Sequence, residues 1–443
     1  MYNFSLRRLL SRISYKVVGF TIAAVILSYF FVTNLQDNGT RTRYSLSEFL
    51  DNRPSFNVYG ANASEVKQQE KRFSRDDYMP SQPQVVEREE LADESEMTDE
   101  ERFRSRREHL HNMCQDPERS NFKWFPRESG NVTERALYDC KLKFCRVPKV
   151  GSTYLSALKI HRATVNHHFM SNRRYSCRKL LPPLPRSFLI VRDPYVRIVS
   201  GYFDKIVTIP WWWRNYGAFI VNKFRGGNVS PDQVGCGHDV TFEEFVRFLV
   251  YSDTAQTMQD PHFIPVHKLC NVCEFNFDYL GKLETFTQDL KYIYESVGES
   301  SDFDFSPDLM KVSNKTQYFR SLFEKEDYSK CTSICEGMQK VWYGLQSMGF
   351  IPRSYNFPFL GERCNSVSPN EFREVSVKAY TDNKGKFDKH KQKDDFLRDV
   401  YSQVDIKYKL ELYKVLKRDL DFFGYPHFPE SVFPEYAGKQ PVL

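Results

Sequence analysis

Two short apolar runs, each followed directly by a helical pattern, stand out along this chain. The first run lies within residues 143–147 (KFCRV), which are predicted to form a strand, and the apolar spacing over residues 153–160 predicts that a helix begins after it. Residues 187–191 form the second run, which has the character of a strand buried on both faces, and a helix is predicted over residues 197–207. Strands that alternate with helices predict an α/β fold with a mostly parallel sheet flanked by helices.

Two further helices are predicted nearer to the C-terminus. Thr241 has the position of an N-cap, because acidic residues follow it in the first turn of an apolar pattern. A closing helix is predicted over residues 408–423, ended by Gly424 and Pro426. The compact domain is therefore predicted to span residues 113–443, and a ligand is expected at the carboxyl ends of its parallel strands.

The N-terminus carries the pattern of a membrane anchor. Residues 1–16 contain four basic residues and no acidic one, and an uncharged apolar run follows over residues 17–32. We expect a cytoplasmic tail over residues 1–16, a transmembrane signal anchor over residues 17–33 and a lumenal remainder, which is a single-pass type II topology. A cleaved signal peptide is the alternative, but bulky side chains at residues 29–31 stand where a cleavage site needs small ones.

Residues 34–112 contain few apolar positions and many charges of both signs. They are predicted to form a lumenal stem, either disordered or an exposed helix, that holds the compact domain away from the membrane. The whole chain is 41% hydrophobic and 27% charged, which excludes a wholly disordered protein. Four of its six net positive charges belong to residues 1–16, so the remainder is not a polycation and no nucleic-acid partner is expected. An acidic ligand would have to bind local basic clusters.

Ten cysteines and five glycosylation sequons beyond the apolar run agree with an oxidising lumen. The even cysteine count favours disulfides, whose pairing stays open. Cys270 and Cys273 also have the CxxC spacing of a zinc site, although no second pair follows at finger spacing. Cys145 is expected to be a buried free thiol because it lies in the first apolar run. The sequons lie at Asn38, Asn62, Asn131, Asn228 and Asn314.

The first motif, residues 146–153 (RVPKVGST), has the composition of an anion-binding site. Lys149 supplies a mobile cation, and Gly151 lets the backbone approach a ligand. Ser152 and Thr153 then open a helix, whose free N–H groups bind anionic oxygens. The order differs from the P-loop pattern GxxxxGKS or GxxxxGKT, because the lysine precedes the glycine, and no magnesium ligands can be assigned. A plain strand-to-helix turn is the alternative.

The second motif, residues 191–200 (VRDPYVRIVS), follows the second apolar run in the same way. Arg192 lies just past the carboxyl end of the predicted strand, and Asp193 or Pro194 begins the helix. An arginine with a serine hydroxyl, here Arg192 with Ser200, suits a phosphate group. An ion pair between Arg192 and Asp193 is the structural alternative. Together the two motifs suit a nucleotide that carries separate 5′ and 3′ phosphate-type groups.

Both motifs resemble the donor-binding segments of the Golgi carbohydrate sulfotransferases, in particular the chondroitin, dermatan and GalNAc 4-O-sulfotransferase branch. In that branch the first segment usually reads PKVACTNW, and here residues 148–155 read PKVGSTYL. The second usually resembles VRDPFERLVSAY, and here residues 191–202 read VRDPYVRIVSGY. Residues 262–285 and residues 419–425 (DLDFFGY) are similar to two further segments of the family, in the same order.

The resemblance implies a P-loop-like sulfotransferase fold at the Golgi membrane. It further implies metal-free transfer of a sulfuryl group from 3′-phosphoadenosine 5′-phosphosulfate (PAPS) to a hydroxyl of a chondroitin-like, dermatan-like or GalNAc-terminated glycan. Lys149 would also stabilise the leaving phosphate, and His262 is the leading candidate for the general base, with His267 and Glu284 as alternatives. The donor-binding residues that the resemblance implies are Lys149, Gly151, Ser152, Thr153, Arg192 and Ser200.

Two further segments each have two possible interpretations. Residues 211–213 (WWW) either stack on a sugar or pack within the protein. Residues 384–393 (KGKFDKHKQK) either bind an acidic glycan or form a solvated charged face.

A lumenal kinase is one competing function, which metal-dependent activity with ATP would support. A catalytically inactive, membrane-tethered glycan- or nucleotide-binding protein is the other, which donor binding without turnover would support.

Overall fold

A computed structural model describes residues 94–117, 134–137, 141–152, 154–155, 186–225, 235–258, 260–299, 312, 315–316 and 331–437. For residues 134–137 only the backbone is described. The predicted tail, the predicted anchor, most of the predicted stem, Thr153 and the five sequons lie outside these residues.

The two apolar runs form neighbouring parallel strands at the centre of a four-stranded sheet. Its strands, in spatial order, are β1 (Glu134–Leu137), β2 (Leu142–Cys145), β3 (Arg186–Val191) and β4 (Tyr279–Lys282). The β2–β3 and β3–β4 pairs are parallel and the β1–β2 pair is antiparallel. The predicted mostly parallel sheet with helices around it is thus confirmed for the described residues, and the carboxyl ends of β2, β3 and β4 meet at one edge.

Helices surround the sheet and continue beyond it towards the C-terminus. The described α-helices are α1 (Asp99–Gln115), α2 (Pro194–Gly201), α3 (Pro210–Trp212), α4 (Ala218–Phe224), α5 (Phe242–Thr254), α6 (Val266–Cys270), α7 (Phe286–Glu295), α8 (Ile334–Ser347), α9 (Glu362–Ser366), α10 (Pro369–Asn383), α11 (Lys389–Ser402) and α12 (Ile406–Phe423). Two π-helical segments, Tyr202–Val207 and Trp213–Gly217, follow α2 and α3. Short 3₁₀ turns lie at Glu94–Glu96 and Pro434–Tyr436.

Local signals in the sequence account for several helix ends. Thr241 caps α5 as predicted, and its side chain and that of Glu244 form a reciprocal capping box. The closing helix α12 begins two residues before the predicted start and ends as predicted at Gly424, which has a left-handed φ of 65°. In the second motif the helix begins at Pro194, and the helix predicted over residues 197–207 turns into a π-helix after Gly201.

The folded domain includes residues that were assigned to the stem. Helix α1 buries Arg102 and Arg106, which both donate hydrogen bonds to the fully buried carboxylate of Asp289 on α7. The boundary predicted between residues 112 and 113 falls inside α1. A charged sequence was taken as solvent-exposed, whereas two of its arginines are neutralised inside the protein.

Four disulfides join distant parts of the described chain. They are Cys114–Cys273, Cys145–Cys270, Cys236–Cys331 and Cys335–Cys364. The preference for disulfides over zinc is confirmed for these residues, because the two cysteines of the CxxC segment bond to different partners. The expectation of a free thiol at Cys145 is wrong: the end of β2 lies beside the end of α6, with the two Cα atoms 6.0 Å apart.

Candidate active site

The first motif forms a tight loop between β2 and a helical turn. Lys149 and Gly151 both have left-handed backbone angles, with φ values of 72° and 83°. The Leu155 N–H donates to the Gly151 carbonyl at 3.1 Å, which starts the helical turn. A Cβ on residue 151 would lie 2.9 Å from ring atoms of Phe286, so the close approach of α7 requires glycine there. The loop is therefore built as predicted, with a backbone bend beside a helix start.

The second motif has its helix start capped from within the chain. The Asp193 carboxylate accepts from the N–H groups of Tyr195 and Val196, at 2.8 and 3.1 Å. Asp193 therefore occupies the amides that an anion would need at this helix. Burial raises the pKa of Asp193 to about 6 against the effect of these hydrogen bonds. Any anion binding in this motif must rely on side chains, as predicted for Arg192 and Ser200.

Two arginines of the second motif connect it to the other motifs. The Arg192 guanidinium donates to the carbonyl of Lys149 at 3.2 Å, and burial lowers its pKa. Arg197 is 2% exposed and donates to three carbonyls, namely those of Pro148 at 3.2 Å, Pro261 at 2.9 Å and Ile264 at 2.9 Å. Sequence reasoning missed the role of Arg197, whose only signal is a basic residue on the apolar face of a helix. Arg197 holds the first motif beside the loop that carries His262.

His262 forms a pair with Asp260. Its Nδ1 lies 2.6 Å from Asp260 Oδ1, which also accepts from the His262 backbone N–H at 2.8 Å. Because a carboxylate only accepts, Nδ1 carries the proton and Nε2 is the basic nitrogen of the neutral ring. Burial lowers the pKa of His262, although the hydrogen bond to Asp260 opposes this shift. The side chain is 26% exposed, so a ligand can reach it.

The alternative bases His267 and Glu284 have structural roles. His267 is 1% exposed, and its Nδ1 lies 2.7 Å from Asp419 Oδ1 in the fourth family segment. Glu284 accepts from the Asp193 N–H at 3.1 Å and from the Tyr425 hydroxyl at 2.9 Å. These contacts link three segments: Glu284 of the third segment contacts the second motif, and Asp419 and Tyr425 of the fourth segment contact the third.

Lys149 belongs to a cluster of three lysines around one carboxylate. Its Nζ lies 2.9 Å from Asp204 Oδ2, and the Lys205 Nζ lies 3.5 Å from the same oxygen. The Lys315 Nζ contacts the other oxygen, Oδ1. Burial and the charge of Lys315, opposed by Asp204, lower the pKa of Lys149 to about 8. The cluster leaves two positive charges unbalanced, which suits an anionic ligand.

One cavity of about 1290 Å³ contains these groups. The described residues predicted at the site all line it, namely Lys149, Gly151, Ser152, Arg192, Ser200 and His262. Asp204, Lys205, Asp260, Glu284 and Lys315 line it too, and His267 does not. The predicted Thr153 lies outside the described residues. The size of the cavity and its basic groups fit a ligand of nucleotide size with phosphate-type groups.

The tryptophans at 211–213 do not form an open sugar platform. Trp212 and Trp213 are 5% and 0% exposed. Trp212 stacks on Tyr216 with ring centroids 4.4 Å apart, and its ring contacts that of His262 edge-on at 5.9 Å. For these two residues the packing interpretation holds, and Trp212 supports one side of the His262 ring.

Comparison with known proteins assigns the part of the chain that carries the first three segments. Residues 137–333 match the family model described as "Sulfotransferase family". This segment is therefore similar to sulfotransferases. Its relatives include carbohydrate sulfotransferase 14 of Danio rerio, which is 37% identical over 111 residues, or 25% of this chain and 29% of the relative. Carbohydrate sulfotransferase 11 of Mus musculus is 27% identical over 243 residues, or 50% of this chain and 66% of the relative.

Carbohydrate sulfotransferase 12 of Xenopus laevis is 30% identical to the chain over 227 residues, or 47% of this chain and 52% of the relative. The chain thus spans between 29% and 66% of the length of these curated relatives. No solved structure matches the chain. The resemblance to carbohydrate sulfotransferases is confirmed by these matches.

The match to the sulfotransferase domain ends at residue 333, before α8 begins at Ile334. The fourth family segment, with Asp419 and Tyr425, lies beyond it and still contacts the domain. Within the described residues, no group of three or more histidine, cysteine or acidic side chains is placed to hold a metal ion. None of the described helices is both long enough and apolar enough to cross a membrane. Residues 17–33, the predicted anchor, lie outside the described residues.

Proposed function

We propose that the protein is a carbohydrate O-sulfotransferase that moves a sulfuryl group from PAPS to a hydroxyl of a glycan. The observation that carries this proposal is the cavity, in which both anion-binding motifs meet the His262–Asp260 pair and the Lys149 cluster. The names of the relatives support the carbohydrate acceptor. The chondroitin-like, dermatan-like or GalNAc-terminated acceptors implied by the resemblance remain the first to test.

The donor would bind with its two charged ends on the two motifs. We assign Lys149, Gly151, Ser152 and Thr153 to the 5′-phosphosulfate. Arg192 and Ser200 would hold the 3′-phosphate, since Asp193 already caps the amides of α2 and leaves side chains as the available donors. The 3′-phosphate is the group that distinguishes this donor from ATP.

The chemical step needs a base and a stabilised leaving group. His262 accepts the proton of the acceptor hydroxyl at Nε2 while Asp260 holds the ring in that tautomer. The hydroxyl oxygen forms a bond to sulfur as the bond from sulfur to the 5′-phosphate oxygen breaks. Lys149 stabilises the negative charge that grows on that phosphate. No step requires a metal ion.

The apolar run near the N-terminus supports a membrane location for the enzyme. We propose that residues 17–33 anchor it in the Golgi membrane as a single-pass type II protein, with residues 1–16 in the cytosol. The disulfides of the described chain support an oxidising lumen for the domain.

The test is sulfuryl transfer by the full chain in detergent, without added metal. Labelled PAPS is supplied with chondroitin, desulfated dermatan, heparan or GalNAc-terminated glycans, and binding of 3′-phosphoadenosine 5′-phosphate is measured separately by calorimetry. Lys149→Ala and Arg192→Ala are expected to reduce transfer by about 10²–10³-fold, because each removes a charge that faces the donor. Lys391→Ala, which removes an exposed lysine paired with Asp395 at 3.0 Å, is the control.

Transfer that Lys149→Ala and Arg192→Ala abolish and Lys391→Ala preserves supports the proposal. Nucleotide binding without transfer to any glycan would favour the inactive binding protein instead. A folded protein that binds no nucleotide would refute the sulfotransferase assignment.

A further inference from the structure

The cavity has a second wall that the donor-binding residues do not explain. This distal wall consists of Ser347 at the end of α8, of Met348, Gly349 and Phe350 in the loop that follows, and of Lys389, His390, Lys393 and Asp394 of α11. None of the residues assigned to the donor belongs to it. Both segments lie beyond residue 333, where the match to the family model ends. The distal wall therefore lies outside the segment that matches the family model.

Buried hydrogen bonds fix the two halves of the distal wall against each other. Gln392 is 8% exposed, and its side-chain amide donates to the carbonyls of Gln346 at 2.6 Å and Ile351 at 2.9 Å. Its side-chain oxygen accepts from the Arg353 N–H at 2.7 Å. The amide of Gln392 thus connects both ends of the loop to α11, which makes the distal wall a preorganised surface.

Gly349 brings the loop backbone directly against the lysines. It has a φ of 72°, and a Cβ there would lie 3.0 Å from Lys393 Cε and 3.2 Å from Lys389 Cβ. Lys389 and Lys393 are one helical turn apart and line the same cavity. Lys391, between them in sequence, does not line the cavity and is paired with Asp395. The face of α11 that carries Lys389 and Lys393 is thus directed to the site.

The charges of the distal wall favour an anionic partner. Lys389 and Lys393 face the cavity with His390, and Asp394 is the acidic residue on the same stretch. Lys389 is exposed and Lys393 is half-buried, and both side chains line the cavity. The proposed donor is assigned to residues of the two motifs, none of which belongs to the distal wall. An acceptor that enters the same cavity and reaches the distal wall would contact these lysines.

We propose that the distal wall binds the carboxylate or sulfate groups of an acidic glycan and selects acidic over neutral glycan acceptors. This inference rests on the proposed function, because it assigns the acceptor side of the same cavity. Lys389 and Lys393, one helical turn apart on α11, are the specificity-determining residues. Of the two interpretations of residues 384–393, the solvated charged face then applies to Lys391, and the binding of an acidic glycan applies to Lys389 and Lys393.

The test compares a Lys389→Ala/Lys393→Ala double variant with Lys391→Ala in the full chain. Binding of chondroitin oligosaccharides and of a neutral galactose–GalNAc oligosaccharide is measured by calorimetry, independently of transfer. The double variant is expected to weaken chondroitin binding by about three- to tenfold, the effect of two partly exposed charge contacts. Lys391→Ala should change it by less than about twofold. Wild-type binding of chondroitin should also weaken more steeply with added salt than binding by the double variant.

The outcomes separate this inference from the proposed function. Stronger binding of the neutral oligosaccharide by the wild type, or equal losses in the double variant and Lys391→Ala, would overturn the inference even if sulfuryl transfer occurs. Loss of transfer with intact, lysine-dependent chondroitin binding would overturn the enzyme assignment and leave the distal wall as a glycan site. Unchanged thermal unfolding and unchanged nucleotide binding in the double variant show that the loss is local.

Discussion

The Lys149 ammonium lies 2.9 Å from the Asp204 carboxylate, while the Lys149 carbonyl accepts a hydrogen bond from Arg192 at 3.2 Å. Lys149 comes from a left-handed loop position and Asp204 from the π-helix after α2, so two unusual backbone segments create this pair. Asp204 also forms ion pairs with Lys205 and Lys315. Burial raises the pKa of Asp204, but the lysines outweigh it and hold the pKa well below its ordinary value.

Asp204→Asn is predicted to shift the alkaline side of the activity profile. In the wild type, kcat/KM for the donor should fall as the pH rises through about 8, where Lys149 loses its proton. Asp204 raises the pKa of Lys149, so its removal lowers that pKa and moves the fall to lower pH. Asp253→Asn, which removes a carboxylate paired with Lys268 outside the cavity, should leave the profile in place. An unmoved alkaline limb in Asp204→Asn would exclude this role.

His262→Gln is predicted to reduce kcat by about 10²–10⁴-fold with little change in nucleotide binding, because it removes the base and not a donor contact. In the wild type the acid limb of kcat/KM for the acceptor should lie below the ordinary imidazole pKa, since burial lowers the pKa of His262. Asp260→Ala should move this limb to still lower pH, because the Asp260 hydrogen bond raises that pKa. His111→Gln on the exposed surface of α1 is the control. A kcat that survives His262→Gln would assign the base elsewhere.

Gly151→Ala is predicted to destabilise the fold by about 1–3 kcal/mol, because it strains a left-handed backbone. It should also displace the first motif, since the new Cβ would meet the Phe286 ring at 2.9 Å. Gly298→Ala is the matched control, with a φ of 69° and no atom within 4 Å of the added Cβ. Denaturant unfolding and nucleotide binding are measured for both. Equal effects of the two variants on nucleotide binding would show that the contact with Phe286 is unimportant.

Asp289→Ala is predicted to lower the free energy of unfolding by about 3–5 kcal/mol, because it leaves Arg102 and Arg106 buried without their shared carboxylate. The same carboxylate accepts from the Lys282 N–H at 2.8 Å and the Thr285 hydroxyl at 2.7 Å, so the end of β4 should loosen as well. Lys291→Ala on the exposed side of α7 should change stability by less than about 0.5 kcal/mol. Denaturant unfolding of the two variants provides the measurement, and similar midpoints would contradict the prediction.

The sheet and the first two motifs could be predicted because their signals are local. Residues 187–191 are apolar throughout and become β3, and Thr241 with Glu244 is a capping box within four residues. The gathering of Lys149, Arg192 and Ser200 in one cavity also followed, since parallel strands bring their carboxyl ends to one edge.

Long-range pairings could not be predicted in this way. The burial of Arg102 depends on Asp289, which lies 187 positions later in the chain. The sequence around Arg102 therefore does not indicate this partner. The bond from Cys145 to Cys270 spans 125 positions and made the expected free thiol wrong. Arg197 lies on the apolar face of its helix, but the three carbonyls that accept from it are 49 to 67 positions away in the chain.

The shared carboxylate between α1 and α7 also limits how this protein can evolve. Arg102, Arg106 and Asp289 form one buried cluster of charged side chains, in which the Asp289 carboxylate is 0% exposed. A change at any one position leaves an uncompensated charge or polar group, so a lineage is expected to keep all three or to exchange them together for apolar residues. Covariation among these positions in an alignment of relatives would mark which sulfotransferases fold their N-terminal helix onto the domain in the same way.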